Sequence, residues 1–198
     1  MINFLNNNNQ EPFVILRKKY EQALSADQQT IEAISVSSYD NVKMEVDSRY
    51  VNLKFVCNNE FIFFTNYNSP KAKQFASNNQ VAVTIYWSSI NIQIRMKAKI
   101  VKTSIEFNQN YFAKRDSKKN ALAISSHQSN EIISFEEVTA NYDKTIKNKD
   151  LTKCPDYWGG FSFKPYEIEF WEGSEFRLNK REKYSLIKSE WHKSILEP

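Results

Sequence analysis

The feature of this sequence that most constrains the fold is an alternation of apolar and polar residues from Ile90 to Ile100. Isoleucine, methionine and alanine occupy every second position, and asparagine, glutamine, arginine and lysine lie between them. A period of two predicts an antiparallel strand with one face in the core and the other facing solvent or a ligand. The length of this strand suits the wall of a barrel or a strand shared with a partner subunit.

Other segments carry shorter versions of the same pattern. Strands are predicted over residues 33–38, 49–56, 61–66 and 81–87, and a turn joins the second to the third as a hairpin. The spacing of apolar residues predicts four helices: one begins at Glu11, one begins at Ser104, and the other two cover residues 121–133 and 135–146. A loop and a short helix are predicted over residues 67–79. The last residues form a final strand or an extended segment.

This order of elements indicates the fold class. About six or seven strands in hairpin order, with helices inserted between them, predict a mostly β fold of the α+β class: an antiparallel barrel with peripheral helices. Because strands and helices do not alternate regularly, a parallel Rossmann sheet is disfavoured. The chain also lacks a glycine-rich phosphate loop, so side chains and backbone outside such motifs would have to hold any phosphate.

Length and composition limit the function classes. A polar, asparagine-rich segment over residues 1–10 is expected to be mobile, and residues 11–198 to form one domain. The net charge of +4 is dispersed without a run of five like charges, which argues against a nucleic-acid partner. No apolar run is long enough to indicate a membrane span, and no leader pattern indicates secretion. The two cysteines and two histidines are too isolated in sequence to indicate a disulfide framework or a metal site; they are Cys57, Cys154, His127 and His192. We therefore expect a cytoplasmic protein without a metal.

The stretch from Pro155 to Arg181 contains all three glycines of the chain and two of its four tryptophans. Glycine is required where φ is positive or where another group approaches the backbone closely, so this stretch is expected to have tight geometry. Its last part contains Arg177, Lys180 and Arg181, which suit an anionic ligand. The local pattern alone is compatible both with a hairpin that carries a surface basic cluster and with a binding site.

Nine segments along the chain resemble those of one enzyme family in the same order. They read EPFVILRKKYEQAL, SRYVNLK, FFTNYNSPK, YWSSINIQIR, YFAKR, SSHQS, WGGFSFKP, IEFWEG and RLNKR. They resemble the motifs of the pyridoxamine 5′-phosphate oxidase family, whose members are FMN-dependent split-barrel oxidases. The resemblance implies a homodimer with FMN at the subunit interface. It also implies oxidation of pyridoxamine or pyridoxine 5′-phosphate to pyridoxal 5′-phosphate, with oxygen as the electron acceptor.

The resemblance also implies roles for individual residues. The positions that match the family's FMN contacts are Arg49, Tyr50, Val51, Asn52, Leu53, Lys54, Phe64, Thr65, Ser69, Lys71, Gln93, Gln128, Ser129, Trp171 and Arg181. Those that match its substrate-phosphate contacts are Lys54, Tyr111, Arg115 and Lys119. Arg177 and Asn179 match the pair that flanks the reacting ring, and they are the expected catalytic positions.

Several positions depart from the family pattern. Pro70 and Ile92 replace arginines, Phe64 replaces a tyrosine, and Lys119 aligns with a serine, although Ser117 is near enough to take that place. Asn179 replaces a histidine, and an asparagine side chain can form hydrogen bonds but cannot titrate near neutral pH. Two alternatives therefore stay open. One is a split-barrel flavin protein with another substrate, such as a flavin-linked reductase. The other is a non-catalytic module that binds FMN or pyridoxal phosphate.

Overall fold

The computed structural model describes all 198 residues and contains nine strands and five α-helices. In chain order these are β1 Asn3–Leu5, α1 Glu11–Ser25, β2 Ala33–Asp40, β3 Glu45–Cys57, β4 Glu60–Asn66, α2 Pro70–Ser77, β5 Gln80–Trp87, β6 Ile92–Lys102, α3 Ile105–Lys114, α4 Ser117–Ser125, α5 Phe135–Asn148, β7 Trp158–Glu172, β8 Lys180–Ile187 and β9 Glu190–Leu196. None of the five helices combines the length and apolar character needed to cross a bilayer.

The strands close into a barrel. Their order is β1-β3-β2-β5-β6-β7-β8-β9, and β4 pairs with both β3 and β7. The six strands β3, β2, β5, β6, β7 and β4 therefore form a closed ring, which β1 extends on one side and β8 and β9 on the other. Every pairing is antiparallel except that of β1 with β3. The predicted antiparallel barrel with peripheral helices is confirmed.

β6 shows how the sequence produces the barrel wall. Its apolar side chains from Ile92 to Ile100 are buried, whereas Arg95, Lys97 and Lys99 are exposed. It pairs along its whole length with β7. The strand begins at Ile92 rather than at Ile90, because a short 3₁₀ turn over Ser88–Ile90 leads into Asn91 in the left-handed conformation (φ 49°).

Aromatic side chains fill much of the barrel interior. Phe61 of β4 stacks on Phe163 of β7 with ring centroids 5.0 Å apart, and α1 packs Phe13 and Tyr20 against this core. Stacked aromatic pairs of this kind contribute about 0.5–1.5 kcal/mol beyond the area that they bury. The helix predicted to begin at Glu11 therefore lies on the barrel through its apolar face.

Three sequence predictions need correction here. The amino-terminal segment was expected to be mobile, but Asn3–Leu5 forms β1, Ile2 is buried, and the Ile2 amide donates a hydrogen bond to the Tyr20 hydroxyl (3.0 Å). There are nine strands rather than six or seven, because β1 has only three residues and the charged start of β8 gives no clear alternation.

The third correction concerns the helix expected over residues 121–133. α4 begins at Ser117, where Asp116 caps it by accepting the Lys119 amide (3.1 Å). It ends at Ser125, because serine and asparagine side chains compete for backbone groups and favour turns. The polar SSHQS segment is consequently a turn in which Ser129 adopts a positive φ of 70°.

The glycines are not needed for a left-handed backbone, since none has a positive φ. They allow neighbouring side chains to approach the backbone closely. A Cβ on Gly159 would collide with the Tyr67 hydroxyl and with the Asn108 amide. These two groups form a network in which Asn108 Nδ2 donates to the Tyr67 hydroxyl (3.0 Å), and that hydroxyl donates to the Gly160 carbonyl (3.1 Å). The network joins α3 to β7.

We expect Gly159→Ala to lower the free energy of unfolding by about 1–3 kcal/mol, because the added methyl must displace this rigid, hydrogen-bonded pair. Urea denaturation measures the effect. Gly173→Ala is the matched control, since the three atoms nearest to its Cβ would all belong to the side chain of the exposed Asn91, which can turn to solvent. Equal losses in the two variants would show that close approach at Gly159 is not the constraint.

Candidate functional site

Two cations lie side by side where β2, β3, β4 and α2 meet. Lys71, in the first turn of α2, is buried, and its Nζ donates to Thr65 Oγ1 (3.2 Å) and Ser69 Oγ (3.4 Å). Ser69 is the N-cap residue of this helix and is itself fully buried. Pro70 then opens the helix, a position at which proline is favoured because its missing N–H has no intrahelical partner.

Arg49 of β3 provides the second cation. Its Nη1 donates to the Ser38 hydroxyl (2.7 Å) and to the Val36 carbonyl (3.3 Å). Its Nη2 donates to Gln74 Oε1 (2.9 Å) and forms an ion pair with Asp47. The guanidinium is therefore held rigidly by groups from β2, β3 and α2.

Charge is unbalanced in this cluster. Burial, and then the positive charge of Arg49, lower the pKa of Lys71 to about 8, while Asp47 opposes the change. Two cations thus share one carboxylate, and the other partners of Lys71 are neutral hydroxyls. A bound anion would raise the pKa of Lys71 and stabilise its charged form, so the donors fit a phosphate group.

A cleft lined by aromatic and cationic side chains lies next to this cluster. Its volume is about 290 Å³, and its lining consists of Phe64, Thr65, Asn66, Arg115, Lys119, Leu122, Ala123, Ser126, Gln128 and Trp158. The Phe64 ring is parallel to the rings of Tyr111 (centroids 4.0 Å apart) and Trp158 (5.1 Å), and the Arg115 guanidinium lies 5.1 Å from the Trp158 ring centroid. No carboxylate lines the cleft, which therefore suits a flat ring that carries negative charge.

Thr65 connects the cluster to the cleft. Its hydroxyl accepts from Lys71 and donates to Gln128 Oε1 (3.1 Å), which also accepts the Asn66 amide (3.2 Å). Ser129, the next residue after Gln128, is exposed in the turn after α4. One ligand could therefore contact the cation cluster with one end and the cleft with the other.

A third group of predicted residues lies on the outer face of the sheet. Gln93, Trp171 and Arg181 are direct cross-strand neighbours on β6, β7 and β8, and all three are half-buried. Arg181 is already engaged, because its Nε and Nη2 both lie 2.9 Å from Glu169 Oε1 and its Nη1 donates to the Glu197 carbonyl (2.9 Å). The structure thus brings these three residues together as a surface rather than as part of the cleft.

Other predicted residues lie apart from the cleft. Lys54 pairs with Glu32 (3.6 Å), at a β-bulge in β3. Arg177 is exposed in the β7–β8 loop with a positive φ of 62°, and Asn179 Oδ1 accepts the Ser174 amide (3.2 Å). None of these three residues lines the cleft.

The remaining predicted positions belong to the middle of β3. Tyr50 and Asn52 are exposed, Val51 is half-buried, and the Leu53 side chain lies in the core. Leu53 could therefore contact a ligand only through its backbone. No group of three or more His, Cys, Asp or Glu side chains is arranged to hold a metal ion.

Sequence reasoning assigned no role to Ser38, Asp47, Gln74 or Trp158, although these residues build the site. Gln74 follows Lys71 by three positions, so helical spacing could have placed it on the same face of α2. Nothing local marks Asp47, whose importance arises only from its ion pair with Arg49.

Comparison with known proteins identifies the family. A family model described as the pyridoxine 5′-phosphate oxidase C-terminal dimerisation region matches residues 158–198. Over 196 residues the chain is 34% identical to pyridoxine/pyridoxamine 5′-phosphate oxidase 2 of Hydrogenovibrio crunogenus, covering 98% of this chain and 91% of that protein. The chain belongs to the pyridoxine/pyridoxamine 5′-phosphate oxidase family.

Solved structures confirm the split-barrel fold that the resemblance to this oxidase family implied. PhzG from Burkholderia lata, solved with tetrahydrophenazine-1-carboxylic acid, aligns with a TM-score of 0.90 at 23% identity, covering 96% of this chain and 93% of that one. A pyridoxamine 5′-phosphate oxidase-related, FMN-binding protein from Nostoc punctiforme aligns with a TM-score of 0.77 at 13% identity, covering 92% and 97%. The matched dimerisation region comprises β7, β8 and β9 and so contains Trp171, Arg177, Asn179 and Arg181.

For this member of the oxidase family we expect Lys71→Met to raise the free energy of unfolding of the ligand-free protein at pH 7, by about 1–2 kcal/mol. The pKa of Lys71 is about 8 in the folded chain, against an ordinary value of 10.5, so the folded state binds fewer protons than the unfolded state between these values. Below pH 8 the charged lysine therefore lowers the free energy of unfolding by its full amount, about 3 kcal/mol. This penalty disappears as the pH rises to 10.5. Loss of the bonds to Thr65 and Ser69 offsets part of the gain.

Thermal unfolding at pH 7 and pH 10 measures the effect, and the advantage of Lys71→Met should shrink at the higher pH. Lys73→Met is the matched control, because Lys73 is exposed on the same helix. A loss of stability at pH 7 in Lys71→Met alone would contradict an unbalanced charge in the cluster.

Proposed function

We propose that the protein is an FMN-dependent oxidase that converts pyridoxamine or pyridoxine 5′-phosphate to pyridoxal 5′-phosphate, with oxygen as the electron acceptor. The observation that carries the proposal is the cluster of buried Lys71 and half-buried Arg49, whose charge Asp47 balances only in part and which adjoins an aromatic, cationic cleft. Family membership supports it independently.

In this proposal the cluster holds the phosphate of FMN. Lys71 and Arg49 offset the phosphate charge, and the hydroxyls of Ser69 and Thr65 are close enough to Lys71 to share its ligand. Gln128 and the Gln93–Trp171–Arg181 surface would contact the ring system. FMN, when bound, supplies the two-electron acceptor that the oxidation requires.

The cleft holds the phosphorylated substrate in this proposal. Arg115 and Lys119 supply positive charge, and Phe64 and Trp158 supply flat apolar surface for the pyridine ring. Burial raises the pKa of Tyr111, although the Arg115 charge opposes this, so Tyr111 stays a neutral phenol that can donate to a phosphate oxygen. The contribution of the chain is to bind and orient the two rings and to exclude water.

A homodimer would complete the site. Phe176 and Leu178, which flank Arg177, are 90% and 73% exposed, and this loop lies within the matched dimerisation region. Large exposed apolar side chains of this kind indicate a contact surface. We infer that Arg177 and Asn179 reach the cleft of the partner subunit, where Arg177 would lie against the substrate ring and steer it.

A second candidate is a flavin protein of the same fold that acts on another substrate. Asn179 favours this candidate, because an asparagine side chain cannot titrate as the family's histidine does. Its side-chain oxygen also already accepts a hydrogen bond from the Ser174 amide. Anaerobic mixing separates the two candidates. Pyridoxamine 5′-phosphate should bleach the bound flavin if the oxidase proposal is correct, whereas bleaching only by a nicotinamide cofactor would identify a flavin-linked reductase.

The proposal predicts that Arg177→Ala lowers kcat/KM for pyridoxamine 5′-phosphate by about 100-fold or more, because the ring loses the cation that orients it. The measurement is pyridoxal 5′-phosphate formation under air with the FMN-reconstituted protein. Lys147→Ala, an exposed lysine on α5, controls for the loss of one charge. Unchanged turnover in Arg177→Ala would remove Arg177 from the site.

Asn179→His tests the same loop from the other direction. Because imidazole can donate and accept hydrogen bonds and titrates near pH 6.5, activity should hold or rise, and the pH–rate profile should gain an ionisation near that pH. The measurement is kcat/KM between pH 5 and 9 for both proteins. A collapse of activity would mean that this loop has been remodelled for another substrate.

A further inference from the structure

Arg49 has almost no hydrogen-bonding capacity left for a ligand. A guanidinium has five N–H donors, of which four are on its two terminal nitrogens. In this chain Nη1 contacts the Val36 carbonyl and the Ser38 hydroxyl, and Nη2 contacts Gln74 and Asp47. All four terminal donors therefore have protein partners, and a phosphate could bond to them only by displacing one.

Asp47 is the partner that a phosphate would displace. It is the only charged group among the four, and its side chain is 51% exposed, whereas that of Arg49 is 17% exposed. Val36 contributes a fixed backbone carbonyl within β2, and Ser38 and Gln74 are buried and bonded to each other (2.6 Å). Only the Asp47 side chain can turn to solvent without breaking the packing of the barrel.

The influence of Asp47 extends beyond Arg49. Its negative charge also acts on Lys71, where it opposes the effects of burial and of Arg49. Gln74 Nε2 lies 3.4 Å from Asp47 and 3.5 Å from Asp40, but Asp40 is bonded to the amides of Val42 and Lys43 in the β2–β3 turn. Asp47 is thus the carboxylate whose charge acts on both cations.

We propose that Asp47 is an internal counter-ion that competes with the phosphate of FMN for Arg49 and thereby sets the affinity of this site for phosphate groups. The inference rests on the proposed function, because it takes the cluster to be the phosphate site. A phosphate that enters must exchange the Asp47–Arg49 ion pair for its own, and the carboxylate that remains nearby repels it. The chain therefore binds phosphate more weakly than its two cations alone would allow.

The first test compares FMN with riboflavin, which lacks the phosphate. In Asp47→Asn the dissociation constant for FMN, measured by flavin fluorescence at fixed ionic strength, should fall by roughly five- to tenfold, while that for riboflavin stays unchanged. Asp143→Asn removes the same charge from an exposed position on α5 and should change neither constant. Unchanged FMN binding in Asp47→Asn would overturn the inference. Weaker binding would also overturn it, because it would show that Asp47 orients Arg49 for the phosphate rather than competing with it.

Inorganic phosphate provides the second test and does not depend on a flavin. The rise in Tm that phosphate produces should be larger in Asp47→Asn than in the unmodified chain and in Asp143→Asn. Equal rises would overturn the competition. A larger rise without any FMN binding would support the competition and refute the FMN-dependent function, so the two proposals can fail separately.

Discussion

The structure depends on the closure of the barrel by β4, which pairs with β3 on one side and β7 on the other. Removal of this strand would leave open edges on both neighbours and would take Phe61 and Phe63, which are completely buried, out of the core. Closure also determines where the site forms. β4 ends at Asn66, and the chain continues directly into Ser69 and Lys71, which brings the start of α2 against Arg49 of β3.

The site and the fold make opposing demands on this junction. A buried lysine without a carboxylate of its own is destabilising, and the lowered pKa of Lys71 expresses that cost. The aromatic core of the barrel supplies enough stability to tolerate it. Trade-offs of this kind are expected at binding sites, where residues are selected for a ligand rather than for the stability of the empty chain. Asp47 reduces the cost, since its carboxylate partly balances both cations.

Sequence patterns predicted the elements that pack through one regular face. The alternation of β6 and the helical spacing of α1 each report burial directly, and the structure confirms both. β1 was missed because three residues are too few for a period and because its pairing with β3 depends on a distant segment. The helix prediction was wrong at SSHQS because the apolar spacing continues past this segment, whereas its serines favour a turn and Gln128 is held by contacts to Thr65 and Asn66.

The site was predictable only in part. Motif resemblance pointed to Arg49, Thr65, Ser69 and Lys71, and the structure gathers these four residues at one junction. It could not reveal that Gln74 accepts a hydrogen bond from Arg49 or that Glu32 pairs with Lys54, because those contacts join segments distant in sequence. The Asp47–Arg49 ion pair lies within β3, but no motif marks Asp47.

The central claim is that the Lys71–Arg49 cluster recognises a phosphate group. The most direct measurement is the ratio of the dissociation constants of riboflavin and FMN for the unmodified protein, obtained by fluorescence titration at low ionic strength. Since the two ligands differ only in the phosphate, the claim predicts that FMN binds at least about 100-fold more tightly. Equal affinities would contradict it.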